Sequence, residues 1–476
     1  MKKLMLFLAA LLVTGGAIGA QSPVNASQQS SMNGVLNAKT FSGADIGLQI
    51  NAATASCTAS GIPKCKVYVP AGEYPYTNTI VMPQAVTNYQ NSYEIDFDPA
   101  AILNYNGSGD AILVGGPGNS APPTNYKIRS PHINITSAAT SGIHIERVYG
   151  FTLYDPQVVG PDKNHGYGIW YDGSGQGRTE NPQIYGVAEG LRFTINGNPS
   201  GTPSITYLSP DNNTITGGQI EHAGIGFHEV AGKTPIFSNN VIGTLFAFVD
   251  RPVLSEFSAN LHFSGCYIEH NSASYPVFEL GANGGGADFT VIEGCHIYPD
   301  TSTPAIIKQV LGNNLTAFNN NAVINKVVNF FNIGTFSGSV RAWNNSAAGL
   351  SGSFVSQDVL NNSFYMGSTQ NFPGSVSITN HGFGLNSLTG NAQDLNILCR
   401  VGGAKFFNFG SSGAQGNLDC SGNLFLSGNI TSGESVQAPI VNATTNYRAA
   451  GTPGFSGKCA SGTTPTMLMG IVTGCS

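Results

Sequence analysis

Glu221 and Glu269 are the pair in this 476-residue chain whose surroundings invite chemistry. Each closes a stretch of one design, Thr216-Gly-Gly-Gln-Ile-Glu221 and Ser264-Gly-Cys-Tyr-Ile-Glu269, and each precedes a histidine, His222 and His270. Glycoside hydrolysis needs two carboxyl groups flanking one bond, an acid for the leaving oxygen and a base or nucleophile opposite. Tyr267, His296 and Tyr298 supply the stacking and hydrogen bonds by which a groove holds a sugar. Glu269, between two tyrosines, is then the acid, because burial against an aromatic raises a carboxyl pKa; Glu221 is the base. A solvated acidic column is the alternative.

These stretches belong to a repeat. Ser238-Asn-Asn-Val-Ile-Gly243, Glu293-Gly-Cys-His-Ile-Tyr298 and Asn319-Asn-Asn-Ala-Val-Ile324 align with them, with starts at 216, 238, 264, 293 and 319. A 20–50-residue period marks a solenoid, and small or Asn residues before a β-branched one suggest a corner feeding a short strand. Stacked as coils of a parallel β-helix, Ile220, Ile242, Ile268, Ile297 and Val323 form one inward column. Alternation then sends Glu221 and Glu269 outward, two coils and about 10 Å apart, with Gly243 as bare backbone between them. That separation favours inversion.

Composition fits an all-β secreted protein. Lys2 and Lys3, an apolar run from Leu4 to Val13 and small residues up to Ala20 form a secretory signal over 1–20. No later stretch is long and apolar enough for a membrane helix, so membrane insertion is not expected and the mature chain is secreted or periplasmic. Only 10% of residues are charged, Gly numbers 61 and the formal net charge is −6, which argues against nucleic acid as partner. Eight cysteines in near pairs, Cys57/Cys65, Cys266/Cys295, Cys399/Cys420 and Cys459/Cys475, point to disulfides in an oxidising compartment. They lack the C-x-x-C spacing of a zinc site, and no metal or other cofactor is expected.

Residues 21–40 read as a loose segment. Over 44–56, Ile46, Ile50 and Ala53 share one helical face, with Ser42 or Asp45 as its cap. A strand with a Pro-Ala-Gly turn follows, Val67-Tyr-Val-Pro-Ala-Gly-Glu-Tyr74. This opening resembles the pectate-lyase-like superfamily of right-handed β-helices, which includes rhamnogalacturonase-type, epimerase-like and tailspike members. Only Asp45 stands where that opening usually carries a paired Asp. The resemblance implies a right-handed parallel β-helix over 41–365 with an N-terminal capping helix. Residues 366–476 alternate short strands with Ser-Gly-Asn turns, as a small β-rich C-terminal domain similar in texture to trimeric tail-fibre stalks, so a homotrimer is the assembly expected.

Between Phe193 and Asp300 ten acids face only Lys233 and Arg251. That balance favours a neutral or weakly charged polysaccharide or oligosaccharide, and a hydrolase over a lyase, whose intermediate needs cationic stabilisation. A non-catalytic glycan-binding β-helix is the other class. Trp170 and Tyr171, in the Gly-rich stretch 160–177, are a further sugar platform. Asp96 and Asp98 form a second acidic site, and His228-Glu229 and Asp250-Arg251 read as structural ion pairs.

Overall fold

The computed structural model describes residues 35–59, 64–82, 92–116, 125–197, 207–270, 272–299, 302–336, 339–343, 345–350, 353–357, 363–366, 375–378, 448–449, 452–453, 465–468 and 471–475. From Lys64 the chain winds as a solenoid in which each strand pairs, in parallel, with its counterpart one coil on. Three sheets result. The first includes Lys64–Val69, Ser92–Phe97, Tyr126–Arg129, Thr214–Thr216, Asn240–Ile242 and His262–Ser264. The second includes Gln183–Tyr185, Gln219–Glu221, Leu245–Val249, Tyr267–His270 and His296–Pro299. The third runs through Asp110–Gly115, Ser141–Glu146, Tyr167–Asp172, Glu189–Thr194, Ile225–Glu229, Arg251–Ser255 and Phe278–Leu280. The fold is an all-β parallel β-helix, as expected.

Apolar residues at alternate strand positions fill the interior. Rings of Tyr171, Phe193, Phe227, Phe263 and Phe278 stack along it with centroids 4.4, 4.9, 5.2 and 5.3 Å apart. One helix, Ile46–Ala59, closes the N-terminal end. Ile46, Ile50, Ala53 and Cys57 are its buried face. Asp45 caps it: Oδ1 accepts from Leu48 N at 2.9 Å, and Oδ2 accepts from Thr77 N at 3.0 Å in the first coil. Burial opposes ionisation there, yet these hydrogen bonds hold the Asp45 carboxyl below its ordinary pKa. Asn51 donates to Thr79 O and accepts from Val81 N, so a side-chain amide occupies an otherwise bare strand edge. The bridge Cys57–Cys65, with Cα atoms 5.6 Å apart, ties the end of the helix to the first strand.

The solenoid corrects the register of two rows. Ile220 opposes Phe246, not Ile242, and Phe246 opposes Ile268. Ile297 opposes Ala322, not Val323. Ile242 lies in the first sheet, pairs with Thr216 and Ser264, and is 39% exposed. The true inward column is Ile220, Phe246, Ile268, Ile297 and Ala322, all fully buried. Val241 and Ala322, expected outside, are in the core. Ser238 starts a different corner, with φ 56, while the corner that matches Gly217 and Gly265 is Gly243 (φ 64, 62 and 65).

Cys266 and Cys295, expected to bridge, are free buried thiols. They occupy one inward corner of adjacent coils, where His296 N donates to Cys266 O at 2.8 Å. Asn320 and Asn345 continue that column as a hydrogen-bonded amide ladder. The pairings expected for Cys399–Cys420 and Cys459–Cys475 involve residues outside those described, as does the signal segment. The chain divides into two compact units after Leu388. Of the second, two antiparallel strand pairs are described, 448–449 with 452–453 and 465–468 with 471–475.

Candidate functional site

Glu221 and Glu269 stand half-buried on the outward face of the second sheet, two coils apart. Gly243 is not between them. Glu221 opposes Ala247, and there the strand bulges: Phe246 faces Ile268 while Val249 faces His270. Ala247 and Phe248 together therefore sit over Glu269. Phe248 adopts φ 54 and is 40% exposed, so an aromatic ring replaces the expected bare backbone. Among the described residues no hydrogen bond or ion pair orients either carboxylate.

The other residues expected around this groove divide. Tyr267 and His296 stack outward at 5.3 Å, and Tyr298 opposes Glu269 and is exposed. His222 turns outward at a left-handed corner (φ 51) between the rings of Tyr185 and Phe248. His270 does not reach the groove. The alternation that puts Glu269 outside puts His270 inside, with Nδ1 3.0 Å from Thr303 Oγ1. Burial pushes its pKa down to about 4. Tyr171 is corrected for the same reason: Trp170 faces out, and Tyr171 is in the core with its hydroxyl 2.7 Å from Thr179 Oγ1. The Gly-rich stretch 160–177 includes the regular strand Tyr167–Asp172.

The most organised polar surface is the outward face of the third sheet. Register places His144, Trp170, Arg192 and His228 in one column, and Glu146, Asp172 and Thr194 in the next. His144 Nδ1 lies 2.8 Å from Asp110 Oδ2, and its Nε2 lies 3.6 Å from Asp172 Oδ2. Ser141 Oγ donates to the other Asp110 oxygen at 2.7 Å. Trp170 lies flat on the imidazole, with centroids 3.9 Å apart and planes within 2°. Its Nε1–H donates to Thr194 Oγ1 (2.6 Å), which donates to Asp172 Oδ1 (2.6 Å). Burial alone lowers the His144 pKa, but Asp110 and then Asp172 carry it up to about 9. Glu146 and Asp172 oppose each other on adjacent coils, and each is only 9% exposed.

The arrangement recurs three coils along. His228 Nδ1 lies 2.9 Å from Glu189 Oε2 and its Nε2 3.6 Å from Glu256 Oε1. Arg192 Nη1 donates to both Glu189 oxygens, at 2.6 and 2.7 Å, and its guanidinium covers the Tyr167 ring at 4.5 Å. Burial opposes ionisation of Glu189, but His228 and Arg192 hold its carboxyl below the ordinary range. In both units Nε2 of the imidazole is buried without a hydrogen bond, aimed at a carboxylate. An imidazole fixed through Nδ1 by an acid, with Nε2 left over, is the geometry of an oriented general acid or base.

Neighbouring charges are structural. His228 and Glu229 do not pair: Glu229 is inward, accepts from Asn239 Nδ2 (3.0 Å) and Ser255 Oγ (2.9 Å), and burial pushes its pKa up to about 7. Arg251 pairs with Glu279, and Asp250 with Lys163. Asp96 pairs with Lys66, and Asp98 accepts from the Tyr68 hydroxyl, so both hold the first sheet together. Among the described residues no group of three His, Cys, Asp or Glu is placed to hold a metal ion, and no helix is long and apolar enough to cross a membrane.

A row pattern in the sequence marks the third-sheet site. Gly142-Ile-His-Ile-Glu146, Gly168-Ile-Trp-Tyr-Asp172, Gly190-Leu-Arg-Phe-Thr194 and Gly226-Phe-His-Glu-Val230 stack in register. Glycine heads these rows because space is closed there. A Cβ on Gly142 would lie 2.5 Å from Val158 Cγ1, and one on Gly190 would lie 2.6 Å from Ile220 Cγ2.

No protein-family model and no curated protein matches the chain. Solved structures do. DFA-IIIase from Arthrobacter chlorophenolicus A6, solved without its lid, is similar at TM-score 0.52 and 12% identity, covering 71% of this chain and 100% of that one. PfbA, a surface adhesin of Streptococcus pneumoniae, is similar at TM-score 0.48 and 13% identity, over 69% of this chain and 93% of that one. ORF18 of Geobacillus virus E2 is similar at TM-score 0.45 and 14% identity over 71% of this chain, which spans 65% of its length. At these identities the likeness is one of fold.

Proposed function

We propose that this chain is a secreted glycoside hydrolase acting on a neutral or weakly charged polysaccharide or oligosaccharide, with Glu146 and Asp172 as its carboxyl pair. The observation that carries this is their register. They face each other across adjacent coils, nine-tenths buried, beside an imidazole held between Asp110 and Asp172 and covered by Trp170. Preorganised hydrogen bonds at the point where charge develops are what such a site must provide. Asp172, fixed by Thr194 and facing His144, serves as nucleophile; Glu146 gives its proton to the leaving oxygen and then takes one from the water that releases the sugar. Trp170 holds His144 in place and offers an indole edge to the sugar. The fold is compatible with ligand binding, since DFA-IIIase has been solved in complex with GF2. The Cys57–Cys65 bridge supports an oxidising compartment outside the cytosol.

Spacing decides the stereochemistry. Opposed residues on adjacent strands have Cα atoms about 4.8 Å apart, near the 5–5.5 Å carboxyl separation of retaining enzymes. The second reading keeps Glu221 and Glu269 as the catalytic pair, favoured by the exposed Tyr267 and Tyr298 beside them, and its two-coil spacing favours inversion. Proton NMR of the first sugar released from a cleaved polysaccharide separates the two. Retained anomeric configuration supports Glu146 and Asp172, and inverted configuration supports Glu221 and Glu269.

A further inference from the structure

The corner between the second and third sheets carries a feature that catalysis does not use. The chain turns there with a left-handed residue on three successive coils: Gly186 (φ 62), His222 (φ 51) and Phe248 (φ 54). The Gly186 amide donates to Glu221 O and the His222 amide to Ala247 O, coil to coil. Glycine suits this position, and a large L side chain there is a strained choice. Phe248 is strained, sits in a bulge and remains 40% exposed, so neither packing nor backbone geometry accounts for it. Its ring instead continues a ladder. Tyr185, 46% exposed, lies 4.9 Å from the His222 ring, and His222 lies 5.1 Å from Phe248 and within 22° of parallel.

We infer that this corner is a saccharide-docking strip, separate from the catalytic carboxyls, that takes a neutral unbranched glycan chain along the solenoid axis. It rests on the carbohydrate reading above. Three features select this occupant. Exposed aromatic rings repeating once per coil match the pitch of successive sugar rings, whose C–H groups pack on aromatics. Glu221 and Glu269 lie beside the rings and can accept from sugar hydroxyls. The strands that build the strip (183–185, 219–221, 245–249 and 267–270) contain no Lys or Arg, so the strip offers carboxylates and no fixed cation of its own to an anionic glycan.

Native electrophoresis of the full chain in gels containing inulin, mixed-linkage β-glucan, galactomannan or dextran tests the inference. Wild type should be retarded by at least one of them, and Phe248→Gly should weaken that retardation about tenfold, as loss of a stacking ring implies. Because glycine suits the left-handed corner, F248G should not lower the thermal midpoint, which separates lost binding from lost fold. Y185S should weaken binding in the same gel, while E146Q should bind as wild type does. Undiminished retardation of F248G and Y185S, or no retardation of wild type in any gel, overturns the strip. So does sedimentation of wild type as a dimer that F248G makes monomeric, which assigns the rings to a second copy. If E146Q keeps hydrolytic activity and F248G loses binding, the catalytic assignment fails and the strip stands.

Discussion

His144 concentrates the electrostatics of the third-sheet cluster. Its side chain is 8% exposed and lies between two carboxylates, so protonation adds a charge where two opposite ones await it. The folded pKa, about 9, stands above the ordinary histidine value of 6.5. The folded state therefore binds this proton more tightly than the unfolded chain. The resulting stability is complete below pH 6.5 and is lost as pH rises through about 9. Urea unfolding at pH 6 and pH 9.5 should show a decline on the order of 1–3 kcal/mol across that window, discounted from the full linkage value because the group is coupled to two acids. H144Q should flatten the decline. A slope unchanged by H144Q would mean that the imidazole is not held as described.

At the scale of the strand, the coil repeat was legible but its phase was not always so. Thr216-Gly, Ser264-Gly and Glu293-Gly align correctly because glycine marks each left-handed corner, at Gly217, Gly265 and Gly294. The expected row at 238 starts four residues early, since Ser238-Asn-Asn is itself a corner, from the short strand Ile236–Phe237 to the first sheet. A slip in phase sends different side chains to the core. The early phase puts Ile242 inside and leaves Phe246 out of the column. The bulge at Phe248 has no mark in the sequence, because it arises from how two coils of unequal length are joined. Substitution reads the corrected register directly. F246A should destabilise by about 3–5 kcal/mol through the cavity it leaves, and I242A by no more than about 0.5 kcal/mol. Equal losses at the two positions would contradict the register.

For the whole molecule, the sequence told the architecture better than the site. Period, corner residues and the helix before the first strand follow from local chemistry, and the parallel solenoid follows from them. The site depends on which columns are brought side by side, which no single row contains. The rows headed by Gly142, Gly168, Gly190 and Gly226, each with an apolar residue after the glycine, are in the sequence, but His, Trp, Arg and His do not look like one another until register stacks them. Glu221 and Glu269 drew attention because their rows look alike, yet the structure leaves them unanchored while Asp110, Asp172 and Glu189 are each held by several partners. The most direct measurement is reducing-end release from a panel of neutral polysaccharides by wild type, E146Q, D172N and the double variant E221Q/E269Q. Wild type should cleave at least one, E146Q and D172N should each lose on the order of 10³-fold in turnover, and E221Q/E269Q should retain turnover. Full activity of E146Q and D172N on a substrate that E221Q/E269Q no longer cleaves would contradict the account.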